Sequence, residues 1–151
     1  MKIQDYGSCP SDNTLKEYLD SFASSLRKWK RKKIISTKID YVVNFSHQAF
    51  SFLLNVKGEL VKKDKILVEK SLAYFYWPND LILDSLGPIG FTDDTFLLCF
   101  VVFLISKTKK TKISINLNLC EKIINEAPLY LGGGVQKQLK EHAFEWRAET
   151  Q

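Results

Sequence analysis

Four aspartates in the middle of the chain are the residues best suited to chemistry. Asp80 and Asp84 are four residues apart, a spacing that places two side chains on one face of a helix, and Asp93 and Asp94 are adjacent. Several carboxylate oxygens close together are the ligands that hard divalent cations take. Two carboxylates can also serve as the acid and the base of a hydrolase. The spacing therefore allows a cation site or a paired-carboxylate enzyme.

The sequence around these aspartates favours a structural role instead. Their neighbours are strongly apolar, and a carboxylate in such surroundings must find backbone N–H groups, water, a cation or a lysine. Thr92 has the side chain of a helix N-cap, so Asp93 and Asp94 would occupy a first helical turn, where negative charge is favourable. We expect all four aspartates to cap helix starts and to fasten the turn between two apolar helices. A cation site, an acidic patch for a partner and, least favoured, a hydrolase are the alternatives.

Other patterns typical of catalysis are weak in this chain. The two histidines, His47 and His142, have no spacing from which a Ser/His/Asp arrangement can be inferred. The three cysteines, Cys9, Cys99 and Cys120, form no CxxC pair, and Cys99 lies in an apolar run that predicts a core position. We therefore predict that the protein is not an enzyme and has no catalytic residue, no metal and no cofactor.

Basic side chains are concentrated between residues 27 and 38, where seven lysines and arginines occur without an acidic residue. Positive charge near the end of a helix is favoured by the helix dipole, so a solvated helix end is the plainest interpretation. An acidic protein partner, a nucleic acid and an anionic lipid surface are the alternatives. Trp29 is the only aromatic residue among these charges, which disfavours nucleic acid. The candidate partner-binding patch consists of Arg27, Lys28, Lys30, Arg31, Lys32 and Lys33.

Apolar periodicity predicts an all-α protein. The helix over 93–106 is apolar nearly all round, which predicts a central position. Residues 113–119 alternate as a strand does, but a lone strand has no partner, so we favour a connector into a helix over about 117–126. The other predicted helices cover about 14–33, 38–56, 64–77, 79–86 and 135–148. We predict one domain over residues 1–151, a bundle of about five to six helices around a central apolar helical hairpin.

Ten residues around the aspartates follow one spaced pattern: Tyr74, Pro78, Asp80, Leu81, Ile82, Asp84, Gly90, Phe91, Asp93 and Asp94. The segment that contains them resembles the YkvA-like domain of unknown function (DUF1232). The resemblance covers about residues 62–107, and Leu83 departs from it because the family usually has proline there. It implies a compact helical hairpin and no particular reaction, and some members of the family are membrane-associated.

These features favour a small, non-enzymatic protein-binding module in the cytoplasm. The first 13 residues lack the apolar run of a signal peptide. The composition is rich in lysine and isoleucine and poor in alanine, as in AT-rich genes, and suggests a bacterial immunity or antitoxin protein that neutralises a toxin domain by direct binding. One alternative is a peripheral membrane protein whose 96–105 run faces lipid between flanking lysines. The other is a divalent-metal-dependent protein that uses the aspartates.

Overall fold

Six α-helices make up most of the chain that the structure, a computed structural model, describes: residues 9–31, 40–77, 92–108 and 115–148. There is no strand in these ranges, so the predicted all-α class is confirmed. Two short 3₁₀ turns, Lys57–Glu59 and Ala127–Leu129, connect helices. The helices are α1 (Asp12–Arg31), α2 (Asp40–Val56), α3 (Lys62–Tyr76), α4 (Thr92–Thr108), α5 (Leu117–Asn125) and α6 (Gly133–Ala148).

Helix α1 begins at a serine cap. The backbone N–H of Thr14 donates a hydrogen bond to the hydroxyl of Ser11 at 3.2 Å. This bond satisfies one of the first backbone N–H groups of the helix, which have no acceptor within the helix itself. The apolar residues that recur every three or four positions are buried against α2 and α3, with Trp29 half-buried at the end of the row. The buried ones are Leu15, Leu19, Phe22 and Leu26.

Helix α4 lies at the centre of the bundle, as its apolar sequence predicts. It packs against α2, α3, α5 and α6, and every side chain from Phe96 to Ile105 is buried except that of Phe103, which is half-buried. Removing one large apolar side chain from water contributes roughly 1.5–3 kcal/mol, so this helix supplies much of the free energy that favours folding. Buried side chains from all six helices join it in one hydrophobic cluster.

Residues 115–125 fold as the favoured prediction states. Asn116 is the N-cap of α5, and its side-chain oxygen accepts a hydrogen bond from the N–H of Leu119 at 3.1 Å. Cys120 and Ile123 are both buried, and their spacing of three residues is that of a helix face. The helix therefore forms despite the strand-like alternation of apolar and polar residues over 113–119. Residues 115–119 are thus not a strand; residues 113 and 114 and the short helix predicted over 79–86 lie outside the described residues.

Within the described ranges, no helix combines the length and the apolar character needed to cross a membrane.

Candidate functional site

The two described aspartates of the predicted cluster lie in the first turn of α4. Asp93 and Asp94 are fully buried, as are their neighbours Thr92 and Thr95. The hydroxyl of Tyr74, on α3, donates a hydrogen bond to Oδ2 of Asp93 at 2.9 Å. Negative charge at this position also interacts favourably with the dipole of α4. The contact joins α3 to α4 through a polar pair inside the core.

Asp80 and Asp84 lie outside the described residues, so the structure does not test whether the four aspartates lie together. Within the described ranges, no group of three or more histidine, cysteine, aspartate or glutamate side chains could hold a metal ion. For the four aspartates together, the capping role and the alternative of a cation site both stay predictions. What the geometry adds is that Asp93 and Asp94 face the protein interior and not an open cleft.

Tyr74 also connects the start of α4 to α6. Its ring lies 6.5 Å from that of Trp146, which in turn stacks on His142 with ring centroids 6.0 Å apart. At the end of the same helix, Nε of Arg147 lies 3.1 Å from Oδ1 of Asp64, a carboxylate that is only 2% exposed. Sequence analysis did not single out this ion pair because its members are far apart along the chain.

The basic patch is described only in part. The side chains of Arg27, Lys28 and Arg31 are exposed on α1, and we call these three the α1 basic end. Arg27 donates from Nη2 to the hydroxyl of Ser24 at 3.1 Å, and none of the three forms an ion pair with a carboxylate of the described residues. The side chain of Lys30 and the whole of Lys32 and Lys33 lie outside the described residues.

A cavity of about 460 Å³, which we call the α2–α5 cavity, opens between α2 and the start of α5. Sequence analysis missed it, although a signal exists: polar residues recur on the side of α2 opposite its apolar face. Its described lining is His47, Gln48, Ser51, Phe52 and Asn55 from α2, with Ile115 and Asn116.

His47 connects this cavity electrostatically to α1. Burial lowers the pKa of His47 below its ordinary value, with a raising effect from Asp20 and a further lowering effect from Arg27. The imidazole is therefore neutral at pH 7, with one nitrogen that donates and one that accepts hydrogen bonds. Helix α2, which carries His47, packs against α1, and Asp20 and Arg27 of α1 are close enough to act on the imidazole.

Cys99 and Cys120 are buried neighbours on α4 and α5. Burial raises the pKa of the Cys99 thiol well above its ordinary value, and a hydrogen bond with Cys120 raises it further. A thiol with these properties is a poor nucleophile. The predicted core position of Cys99 is confirmed.

Comparison with known families, curated proteins and solved structures gives one match. Residues 65–100 match the family described as "Protein of unknown function (DUF1232)", within the 62–107 span of the predicted resemblance. The match includes most of α3 and the first half of α4, and so contains Tyr74, Asp93 and Asp94. No curated protein and no solved structure matches the chain. The description does not carry the YkvA-like name. Residues 65–100 are therefore similar to DUF1232, a family whose function is unknown.

Proposed function

We propose that this protein is a non-enzymatic binding module that recognises an acidic surface of another protein. The observation that carries the proposal is the α1 basic end, three exposed cationic side chains without a carboxylate partner in the described residues. Between residues 27 and 38 the sequence adds four more basic residues and no acidic one. Complementary charge accelerates the encounter with a partner and excludes partners of the wrong sign.

The rigidity of α1 supports this role. Its inner face is anchored in the core, and Asp12 at its start pairs with Lys57 at 2.7 Å. Cationic groups on an anchored helix lose less conformational freedom on binding than the same groups on a free tail. A fixed charged surface therefore suits a partner with a defined shape.

Nucleic acid is a weaker candidate for the same surface. Binding to single strands depends on aromatic rings on which bases stack. Trp29 is half-buried and packs against Phe22, with ring centroids 6.2 Å apart. Its ring is therefore engaged with the protein's own core.

The concrete form of the proposal is a cytoplasmic immunity or antitoxin protein that blocks a toxin domain. One feature supports it: the sequence has no recognisable catalytic pattern. The test is co-expression with the product of the neighbouring gene, followed by co-purification. We expect a complex that dissociates as salt rises, since an interface between exposed charges is screened.

The charge-reversed variant R27E/K28E/R31E should lose that complex. The matched control is K62E/K63E/K65E, which changes the net charge equally at exposed positions of the first turns of α3. A complex that survives reversal of the α1 basic end refutes the proposed surface. A chain that remains alone after co-expression counts against the immunity role.

One observation favours a second candidate, a peripheral membrane protein. Phe144 is 53% exposed, and its ring packs edge-on against that of Phe100. The ammonium group of Lys140 lies over the same Phe100 ring. Exposed aromatic rings beside lysines suit the boundary between lipid and water. The 96–105 run is inside the bundle, so this surface of α6 would have to contact lipid instead. Sedimentation with anionic liposomes at low salt, lost in Phe144→Ser, would support this candidate.

A further inference from the structure

We propose that the α2–α5 cavity receives an extended acidic segment of the partner protein. The peptide groups of that segment would bind the polar side chains of α2, and its carboxylates would lie on the α1 basic end. This inference rests on the proposed function and specifies what kind of surface the partner presents.

The size of the cavity suits a short stretch of chain. Its volume of about 460 Å³ lies within the range of roughly 300–1,000 Å³ that is typical of ligand pockets. Such a space accepts a few residues of an extended peptide and excludes a folded domain. The partner must therefore present a loop or a terminus at this point.

The chemistry of the lining matches a peptide backbone. Gln48 and Asn55 carry amides, which donate and accept hydrogen bonds as a peptide group does, and Ser51 adds a hydroxyl. Phe52 provides an apolar wall for a side chain of the segment. No lysine, arginine, aspartate or glutamate is among the described lining residues of the cavity. These residues therefore provide no positive charge to pair with a phosphate or a carboxylate.

The carboxylates of the acidic segment would contact helix α1, which neighbours α2. Asp20, Ser24, Arg27 and Arg31 recur every three or four residues and therefore share one face of α1. His47, at the edge of the cavity, is under the influence of both Asp20 and Arg27. This row of side chains changes from acidic to basic along the helix. An acidic segment would be repelled at Asp20 and attracted at Arg27 and Arg31, which favours a position of its carboxylates near the C-terminal end of α1.

The test uses a fluorescein-labelled twelve-residue peptide of alternating glutamate and glycine, and a labelled thymidine oligonucleotide as an anionic polymer without peptide groups. Binding to the full-length protein is measured by fluorescence anisotropy at low salt. Gln48→Trp and Asn55→Trp fill the cavity from exposed positions, where a large side chain does not disturb the core. The matched control is Asn125→Trp, also at an exposed position and outside the cavity lining.

We expect the two cavity variants to bind the peptide about tenfold more weakly than the wild type, which corresponds to the loss of a few hydrogen bonds. Asn125→Trp should bind it normally, and the oligonucleotide should bind all three variants equally. Peptide binding that is lost in R27E/K28E/R31E but kept in both cavity variants refutes the inference and leaves the proposed function intact. Equal weakening of peptide and oligonucleotide refutes recognition of the backbone. A wild-type protein that does not bind the peptide refutes the inference, while the acidic surface of the partner is tested separately by co-purification.

Discussion

Tyr74 and Asp93 are both fully buried and are joined by a hydrogen bond of 2.9 Å from the tyrosine hydroxyl to Oδ2 of the aspartate. The two residues are 19 positions apart and belong to α3 and α4. Both residues lie inside the span of the DUF1232 match. The position of the pair in the core indicates that it holds the two helices together.

Replacing Tyr74 with phenylalanine should destabilise the protein by about 1–3 kcal/mol, because a buried carboxylate loses one hydrogen-bond donor. Urea unfolding monitored by circular dichroism measures the change. Tyr18→Phe is the matched control, since the Tyr18 hydroxyl makes a longer bond of 3.3 Å to the backbone carbonyl of Phe75 in a half-buried position. That variant should lose no more than about 1 kcal/mol. Equal losses in the two variants would contradict a special role for the Tyr74–Asp93 pair.

Replacing Arg147 with methionine should cost about 2 kcal/mol, because Asp64 is almost fully buried and loses its cationic partner. The double variant R147M/D64N should recover part of the loss, since it removes the buried charge as well. Lys57→Met is the control, because its partner Asp12 is 55% exposed and stays solvated, which limits the cost to roughly 0–1 kcal/mol. A double variant no more stable than Arg147→Met alone would show that the charge of Asp64 is not the cause.

The pKa of His47 should lie below 6.5, and nuclear magnetic resonance titration of its imidazole protons measures it. Arg27→Gln should raise this pKa and Asp20→Asn should lower it further, because the two charges act on the ring in opposite directions. Lys16, exposed nearer the start of α1, provides the control Lys16→Gln, with no shift expected. If Arg27→Gln leaves His47 unchanged, the cavity does not adjoin the α1 basic end.

The same shift makes stability depend on pH in a defined direction. A histidine whose pKa is lower in the folded state binds a proton more readily when the chain is unfolded. Its contribution is fully present above pH 6.5 and is lost as the pH falls towards the lowered value. His47→Gln should therefore show a smaller loss of stability than the wild type between pH 6.5 and pH 5, measured by urea unfolding at each pH.

Adding Mg²⁺, Mn²⁺ or Ca²⁺ should leave the melting temperature unchanged if the aspartates are structural. A cation at a hundred times its Kd adds about 2.7 kcal/mol, which raises the Tm of a domain this size by roughly 5–11 °C. Differential scanning fluorimetry with and without EDTA detects a change of this size. A rise that D80N/D84N abolishes would establish the cation site in place of the structural role.

The sequence predicts the helices well where apolar spacing decides the structure. The inner face of α1 and the all-round apolar α4 are both found where periodicity places them. Residues 115–119 were ambiguous because two or three alternating side chains fit a strand and a helix start equally well. The Asn116 cap and the burial of Ile123 are consistent with the helix, and only the folded chain displays both.

The candidate sites are less predictable because they depend on contacts between distant segments. The sequence indicates that Asp93 needs a partner in an apolar region, but its identity as Tyr74 follows only from the packing of α3 on α4. Arg147 and Asp64 are 83 positions apart and give no local signal. The α2–α5 cavity likewise requires the start of α5 to lie beside the polar side of α2.

The enclosure of α4 limits how this chain can be divided. A fragment cut to residues 65–100 would retain α3 beside the first half of α4 but would lack α2, α5 and α6, which cover its other sides. Such a fragment would expose a large apolar surface to water and would be expected to aggregate. The segment that matches the family is therefore not expected to fold by itself. A helix as apolar as α4 needs other helices packed around it.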